Sequence, residues 1–268
     1  MCIRDSDNIV TEVDNQIGYE IGGGFGIGGF EGPSRMEVGY PIGYFYGLQT
    51  DGIFQSVDEV DAHASQRSLG SIAVPGDFRY VDQNGDDKID EDDRVYLGDP
   101  IPDYTMGLNI SLDYKNIDFS AYAFASLGSE IVRNYERNLD LTNKPAYKLN
   151  RWRGIGTTDT DPRVTTAANS NSRFSDYFVE DGSYLRVQNI QIGYTFSDEN
   201  SKLDILRPWI KASAESIRFY ASVGNAFTLT NYKGFDPTTS TGSPVGGGFD
   251  QGFYPNPRTY SVGFNIKF

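Results

Sequence analysis

Residues Gly76–Leu127 read GDFRYVDQNGDDKIDEDDRVYLGDPIPDYTMGLNISLDYKNIDFSAYAFASL. An acidic loop, Asp82–Asp93, passes through a corner bracketed by Pro100 and Pro102 into two alternating segments. In Tyr104–Tyr114, Met106, Leu108, Ile110, Leu112 and Tyr114 share one face; Thr105, Gly107, Asn109, Ser111 and Asp113 share the other. Lys115-Asn116 is a minimal turn, after which Ile117, Phe119, Ala121, Ala123 and Ala125 continue the apolar face. Asp118, Ser120, Tyr122, Phe124 and Ser126 oppose them. A period of two is the mark of a strand with unlike faces. Each run reaches or exceeds the ~9–11 residues a tilted strand needs to cross a bilayer.

The pattern returns at Tyr184–Phe196, at Ile217–Phe227 and at Thr259–Phe268. Between Val187 and Ile190 the apolar phase slips, which predicts a bulge or emergence from the bilayer. Asn225 interrupts the apolar face of the next segment. Residues 128–181 and 230–257 are long polar links with little strand patterning, in contrast to the turn at Lys115-Asn116. Short turns on one side and long loops on the other are the habit of outer-membrane barrels. The same count puts residues 56–103 outside and the 197–216 link in the periplasm. The expected fold is therefore all-β: a partial antiparallel transmembrane β-barrel with long extracellular loops and a short loop helix. A soluble calcium-dependent β-sandwich module or adhesin is the alternative, and it requires the apolar faces to meet each other.

Asn8–Asp14 reads as a short strand. The glycines Gly24, Gly26 and Gly29 spell G-x-G-x-x-G, but without a strand–helix setting they predict a bulged β segment, not a dinucleotide site. Glu37–Phe54 is rich in β-forming aromatics, with Pro41 arguing against a regular strand in its first part. Ser56 and Glu59 form a capping box that predicts a helix to about Gln66. His63, the only histidine, has no partner for zinc or a triad and is expected on the surface.

Within the acidic loop, Asp82, Asn84, Asp86, Asp90 and Asp93 fall at positions 1, 3, 5, 9 and 12. Lys88 stands at position 7 and the aliphatic Ile89 at position 8. This is the oxygen spacing of an EF-hand-type loop and predicts a structural calcium ion. Position 6, normally glycine, is Asp87; aspartate is among the side chains that best tolerate a left-handed backbone.

The 268 residues carry 23 Lys and Arg against 37 Asp and Glu, a net charge of −14 that disfavours nucleic acid as a partner. Tyr (18), Phe (17) and Gly (30) in excess suit a β-rich surface protein. One cysteine, Cys2, rules out an intrachain disulfide framework. Residues 1–7 match nothing downstream and read as a non-native scar, leaving 8–268 as the structural segment. No nucleophile elbow or recognisable catalytic acid pair occurs, so an enzyme is not expected.

Several motifs taken together resemble the carboxy-terminal part of SusC/RagA-type TonB-dependent outer-membrane proteins. They are Glu37–Gly47 (EVGYPIGYFYG), Gly52–Gln55, Gly76–Tyr80 running into the acidic loop, Phe178–Arg186, Asn231–Pro237, and Tyr254–Tyr260 leading to Phe268. The resemblance implies a plugged barrel of roughly 22 strands, uptake of oligosaccharides or peptides, a SusD-like lipoprotein partner, and energy from TonB through regions outside this chain. It implies that Phe264 and Phe268 belong to a barrel-assembly signal, and it puts any metal in a structural role. Trp152, Tyr177, Phe253 and Tyr254 are candidate ligand contacts, because exposed aromatics can stack on sugar rings; loop packing is their commoner use.

Overall fold

The computed structural model describes residues 2–4, 8–14, 17–25, 30–135, 145–197, 216–238 and 242–268. The first strands are β1 Cys2–Arg4, β2 Tyr19–Phe25, β3 Phe30–Glu37, β4 Tyr44–Leu48 and β5 Thr50–Ile53, followed by helix α1 Val57–Asp61. Then come β6 Phe78–Tyr80, β7 Arg94–Gly98, β8 Tyr104–Tyr114, β9 Ile117–Leu127 and β10 Glu130–Arg133. β11 Val179–Asp181, β12 Tyr184–Ser197, β13 Ser216–Thr230, β14 Phe249–Asp250 and β15 Thr259–Lys267 complete the order. Among the described residues no helix is long and apolar enough to cross a membrane, which says nothing of strands.

The long strands form one six-stranded antiparallel sheet ordered β1-β8-β9-β12-β13-β15. Leu112, Phe119, Ile192, Ala221 and Val262 stand in register across it, as do Ile110, Ala121, Ile190, Val223 and Tyr260. These rows compose one continuous apolar face, and it is bare: Leu112 is 60%, Ile192 52% and Val262 87% exposed. Among the described residues no second sheet covers it, which favours the barrel over the sandwich alternative. The face has the composition and height of a lipid-facing barrel wall.

The predicted phase slip is a bulge. Opposite the consecutive residues Ala123 and Tyr122 of β9, β12 sets Val187 and Asn189, leaving Gln188 as the extra residue. At the same level β13 passes from Gly224 to Phe227 around Asn225, whose φ of 51° is left-handed. Both apolar phases are thereby restored above the bulges.

The packed core lies in the loops, not in the sheet. Phe45, Val132, Phe174, Phe178 and Phe249 make one cluster; Leu48, Ile53, Leu69, Phe78, Tyr80 and Ile89 make another. Tyr177 packs against both. Small sheets frame them: β2-β3-β4-β7, β5-β6 and β11-β10-β14.

Several local expectations need correction. Asn8–Asp14 is not a strand: one bridge, Ile9 to Pro41, and three backbone hydrogen bonds near it tie only its start. The helix stops at Asp61, capped by Ala62. Ser65 cannot continue it, because its N–H donates to the Asp87 carbonyl and its own carbonyl accepts from Ile89 N–H. His63 is half-buried, its ring edge-on to Phe54 at 5.3 Å, rather than a free surface residue. The 128–181 link contains β10 and β11, whose pairing with each other and with β14 is non-local and leaves no periodic trace. Residues 1, 5–7 of the expected scar, the 26–29 part of the glycine segment and 198–215 of the periplasmic link lie outside the described residues; Cys2–Arg4 pairs with Gly107–Thr105 of β8.

Candidate functional site

The opposite face of the sheet is the candidate functional wall. It presents Asn109, Ser111 and Asp113 from β8, and Asp118, Ser120 and Tyr122 from β9. Arg218 of β13 reaches across β12 to grip Asp118 through two of its guanidinium nitrogens, Nε at 2.8 Å and Nη2. Gly193 makes this reach possible: it lies beneath the pair, and a Cβ there would stand 2.4 Å from Asp118 Oδ1. Tyr220 likewise lies over Gly263, where a Cβ would meet its ring at 2.6 Å. A large aromatic shielding a cross-strand glycine is a known way to pin register. Arg218 and the two glycines escaped sequence reading; their signal was their even spacing with the polar phase, opposite Ile217, Phe219 and Val262.

The acidic loop folds back on itself. Asp82 accepts from the backbone N–H of Gly85 (2.7 Å) and Asp87 (2.9 Å), and Asp86 from Lys88 N–H (3.0 Å). Burial pushes the Asp82 carboxyl up, but the backbone amides of Gly85, Asp87, Asp86 and Asn84 together outweigh it and hold the group below the usual carboxylate range. Asp93 is fully buried and closes the loop, accepting from Gln83 N–H and Asp90 N–H, both at 2.8 Å. Asp87 holds the left-handed turn with φ 62°, and Ile89 plugs into the second core cluster. The donor set and the turn suit a hard cation. Yet among the described residues no three carboxylate, imidazole or thiolate side chains converge in a metal-holding arrangement. In this arrangement the Asp82, Asp86 and Asp93 oxygens accept from the loop's own amides.

The four candidate aromatics separate into two pairs. Trp152 is half-buried against the second cluster, its indole N–H donating to Gln55 Oε1 at 3.1 Å. Tyr177 donates to Asp161 Oδ1 and accepts from Lys148 Nζ, both at 2.7 Å, with Arg133 stacked on its ring at 4.8 Å. Both are packing residues of the loop assembly. Phe253 and Tyr254 are 41% and 88% exposed. Phe264 and Phe268 lie bare at the sheet's open end strand, 65% and 85% exposed.

No family profile matches the chain. "TonB-dependent receptor P3" of Formosa agariphila is 35% identical over 242 residues, 87% of this chain and 23% of that protein. The chain belongs to the SusC/RagA type of TonB-dependent receptors. "TonB-dependent receptor SusC" of Bacteroides thetaiotaomicron is 27% identical, over 87% of this chain and 20% of that protein. The solved RagAB peptide transporter shares the fold, with a TM-score of 0.68 at 20% identity over 97% of this chain and 25% of the matched one. The chain thus spans about a quarter of the length of the curated relatives it matches, and it fits their carboxy-terminal part. Like them it is an outer-membrane β protein, and those relatives are receptors rather than enzymes.

Proposed function

We propose that this chain supplies barrel wall and extracellular loops to an importer that takes up oligosaccharides or peptides across the outer membrane. The observation that carries this reading is the two-faced sheet: a bare apolar band outside, an ion-paired polar wall inside, and a self-packed cap of loops beyond one end. A wall of that kind has a purpose only where lipid and an aqueous lumen lie on its two sides. A SusD-like lipoprotein would meet the loop cap, and TonB would act through regions beyond this chain. In the acidic loop, calcium would be held by Asp82, Asn84, Asp86, the Lys88 carbonyl, Asp90 and Asp93, neutralising clustered carboxylates and stiffening the cap. The test is deletion of the gene for the full-length receptor, followed by growth on separate glycans and peptides as sole nutrient. Loss of growth on one class, together with co-purification of a lipoprotein on the intact receptor, is expected. Unchanged growth on every nutrient and no lipoprotein partner would overturn the reading.

A further inference from the structure

At the level of the paired bulges the polar face opens into a recess of ≈ 450 Å³ lined by Tyr122, Phe124, Tyr184, Arg186, Gln188, Asn225, Thr238 and Asn256. We infer that this recess is a subsite for a neutral sugar ring. The inference rests on the importer reading above and narrows it to a substrate class.

The bulges are what create the site. Gln188 is the residue β12 gains over β9, and the left-handed Asn225 is its counterpart on β13. By strict alternation with Val223 and Phe227, Asn225 would point to lipid; the left-handed turn brings its amide into the recess instead. Asparagine is among the side chains that hold that backbone region most readily, which lets the turn form at this position. Two amides on adjacent strands are thus re-aimed at one point.

The chemistry of the lining selects the ligand. Among the described residues Arg186 is the only charged side chain lining the recess, and each of its three nitrogens is engaged by a side chain of the protein. It donates to Asp236 Oδ1 at 2.5 Å, Thr228 Oγ1 at 2.8 Å and Thr238 Oγ1 at 2.9 Å. Asp236 is saturated in turn by Thr238 N–H and Asn256 N–H. Neither charge is offered to a ligand, which removes the usual anchor for a peptide terminus or an acidic group. The side-chain amide N–H of Asn225 goes to the Pro257 carbonyl and that of Asn256 to Thr238 and Asp236, so their carbonyl oxygens are left as acceptors. The Gln188 amide and the Tyr122 hydroxyl add donors and acceptors. Tyr122, Phe124 and Tyr184 supply ring faces, the last two 6.2 Å apart at a tilt of 46°. Flat apolar faces beside uncharged amides fit a pyranose, whose C–H face stacks while its hydroxyls hydrogen-bond.

The experiment uses the purified full-length receptor and titrates it calorimetrically with neutral glucan, xylan and mannan fragments and, separately, with a casein digest. Expected is binding of a neutral glycan, weakened about threefold to tenfold by Tyr122→Ala or Gln188→Ala and less by Tyr122→Phe, which keeps the ring face and loses only the hydroxyl, from the worth of one ring contact or one hydrogen bond. Heat-modifiable migration on gels confirms that each variant is a closed barrel. Glycan binding unaffected by both alanine variants overturns the subsite but leaves the importer reading standing. Binding of peptides and not of glycans overturns the sugar class, again with the importer intact. Binding of neither, in a receptor whose deletion costs no growth, fells both.

Discussion

Asp77 offers the sharpest test of how the loop cap is held. It is fully buried, and its carboxylate accepts four hydrogen bonds: Val74 N–H at 3.0 Å, Arg163 Nε at 2.7 Å, Arg163 Nη2 at 3.2 Å and Asn171 Nδ2 at 2.8 Å. Those partners belong to the 56–103 and 128–181 links, so one side chain staples two long loops together. Truncating one partner of a buried pair generally costs about 3–5 kcal/mol. Arg163 is 21% exposed and can turn to water once released, which places Asp77→Ala near the lower end, about 3 kcal/mol. That is roughly a hundredfold rise in local opening. When reclosing outpaces cleavage, proteolysis follows the open population. Outer-membrane vesicles bearing the full-length receptor should therefore lose protection of the 128–181 loop by about two orders of magnitude under Asp77→Ala. Asp77→Asn keeps the shape and some acceptors and should fall between. Equal digestion of the Asp77→Ala variant and the parent would refute the staple and leave the loops held by their other cross-links, such as Arg163 N–H to the Gly76 carbonyl and Tyr80 to the Ser170 carbonyl.

Three further outcomes follow from the same structure. Gly193→Ala should part Asp118 from Arg218 at a cost of at most about 1 kcal/mol, because the pair is partly solvated; in thermal unfolding, adding Arg218→Ala should cost nothing more, and a further loss would mean the pair survives. If calcium occupies the acidic loop, adding it to chelator-treated vesicles slows cleavage within 76–98, and Asp82→Asn abolishes the slowing; protection indifferent to calcium would remove the ion. Burial raises the Asp236 carboxyl, but the amide, hydroxyl and Arg186 hydrogen bonds outweigh it and leave the group below its ordinary value. Its contribution is thus present above the unfolded value near 3.8 and lost as pH falls below it toward the depressed folded value. Hydrogen exchange of residues 230–238 should quicken over that acid range in the parent and show no such step in Asp236→Asn.

The sheet was legible because its rule is local. Alternation placed β8, β9 and β15 to within a residue, with β13 running three residues past the expected Phe227 to Thr230, and a three-residue slip from Val187 to Ile190 located the bulge. The cap was not legible, for the opposite reason. Its cores join Phe45 to Phe249 and Val132 to Phe178, contacts that carry no period along the chain. The same limit hid Asp77, which looks like one more loop acid until Arg163 and Asn171 arrive. Trp152 and Tyr177 stand in a polar link, where an aromatic looks exposed from sequence; the link folds against a core, and both pack partly buried upon it. The recess was missed because Gln188 and Asn225 break the alternation that made everything around them readable.

The division between a bare sheet and a packed cap also bears on biogenesis. The first cap cluster joins segments far apart in the chain, Phe45, Phe174 and Phe249 among them, whereas the buried residues of the second all lie within 48–89. The first cluster cannot close until those distant links have reached the same side of the membrane. It therefore remains open while strands are being inserted, and closes only after the 230–257 link has been delivered. Closure of that aromatic cluster would then act as a ratchet, making the final translocation step hard to reverse.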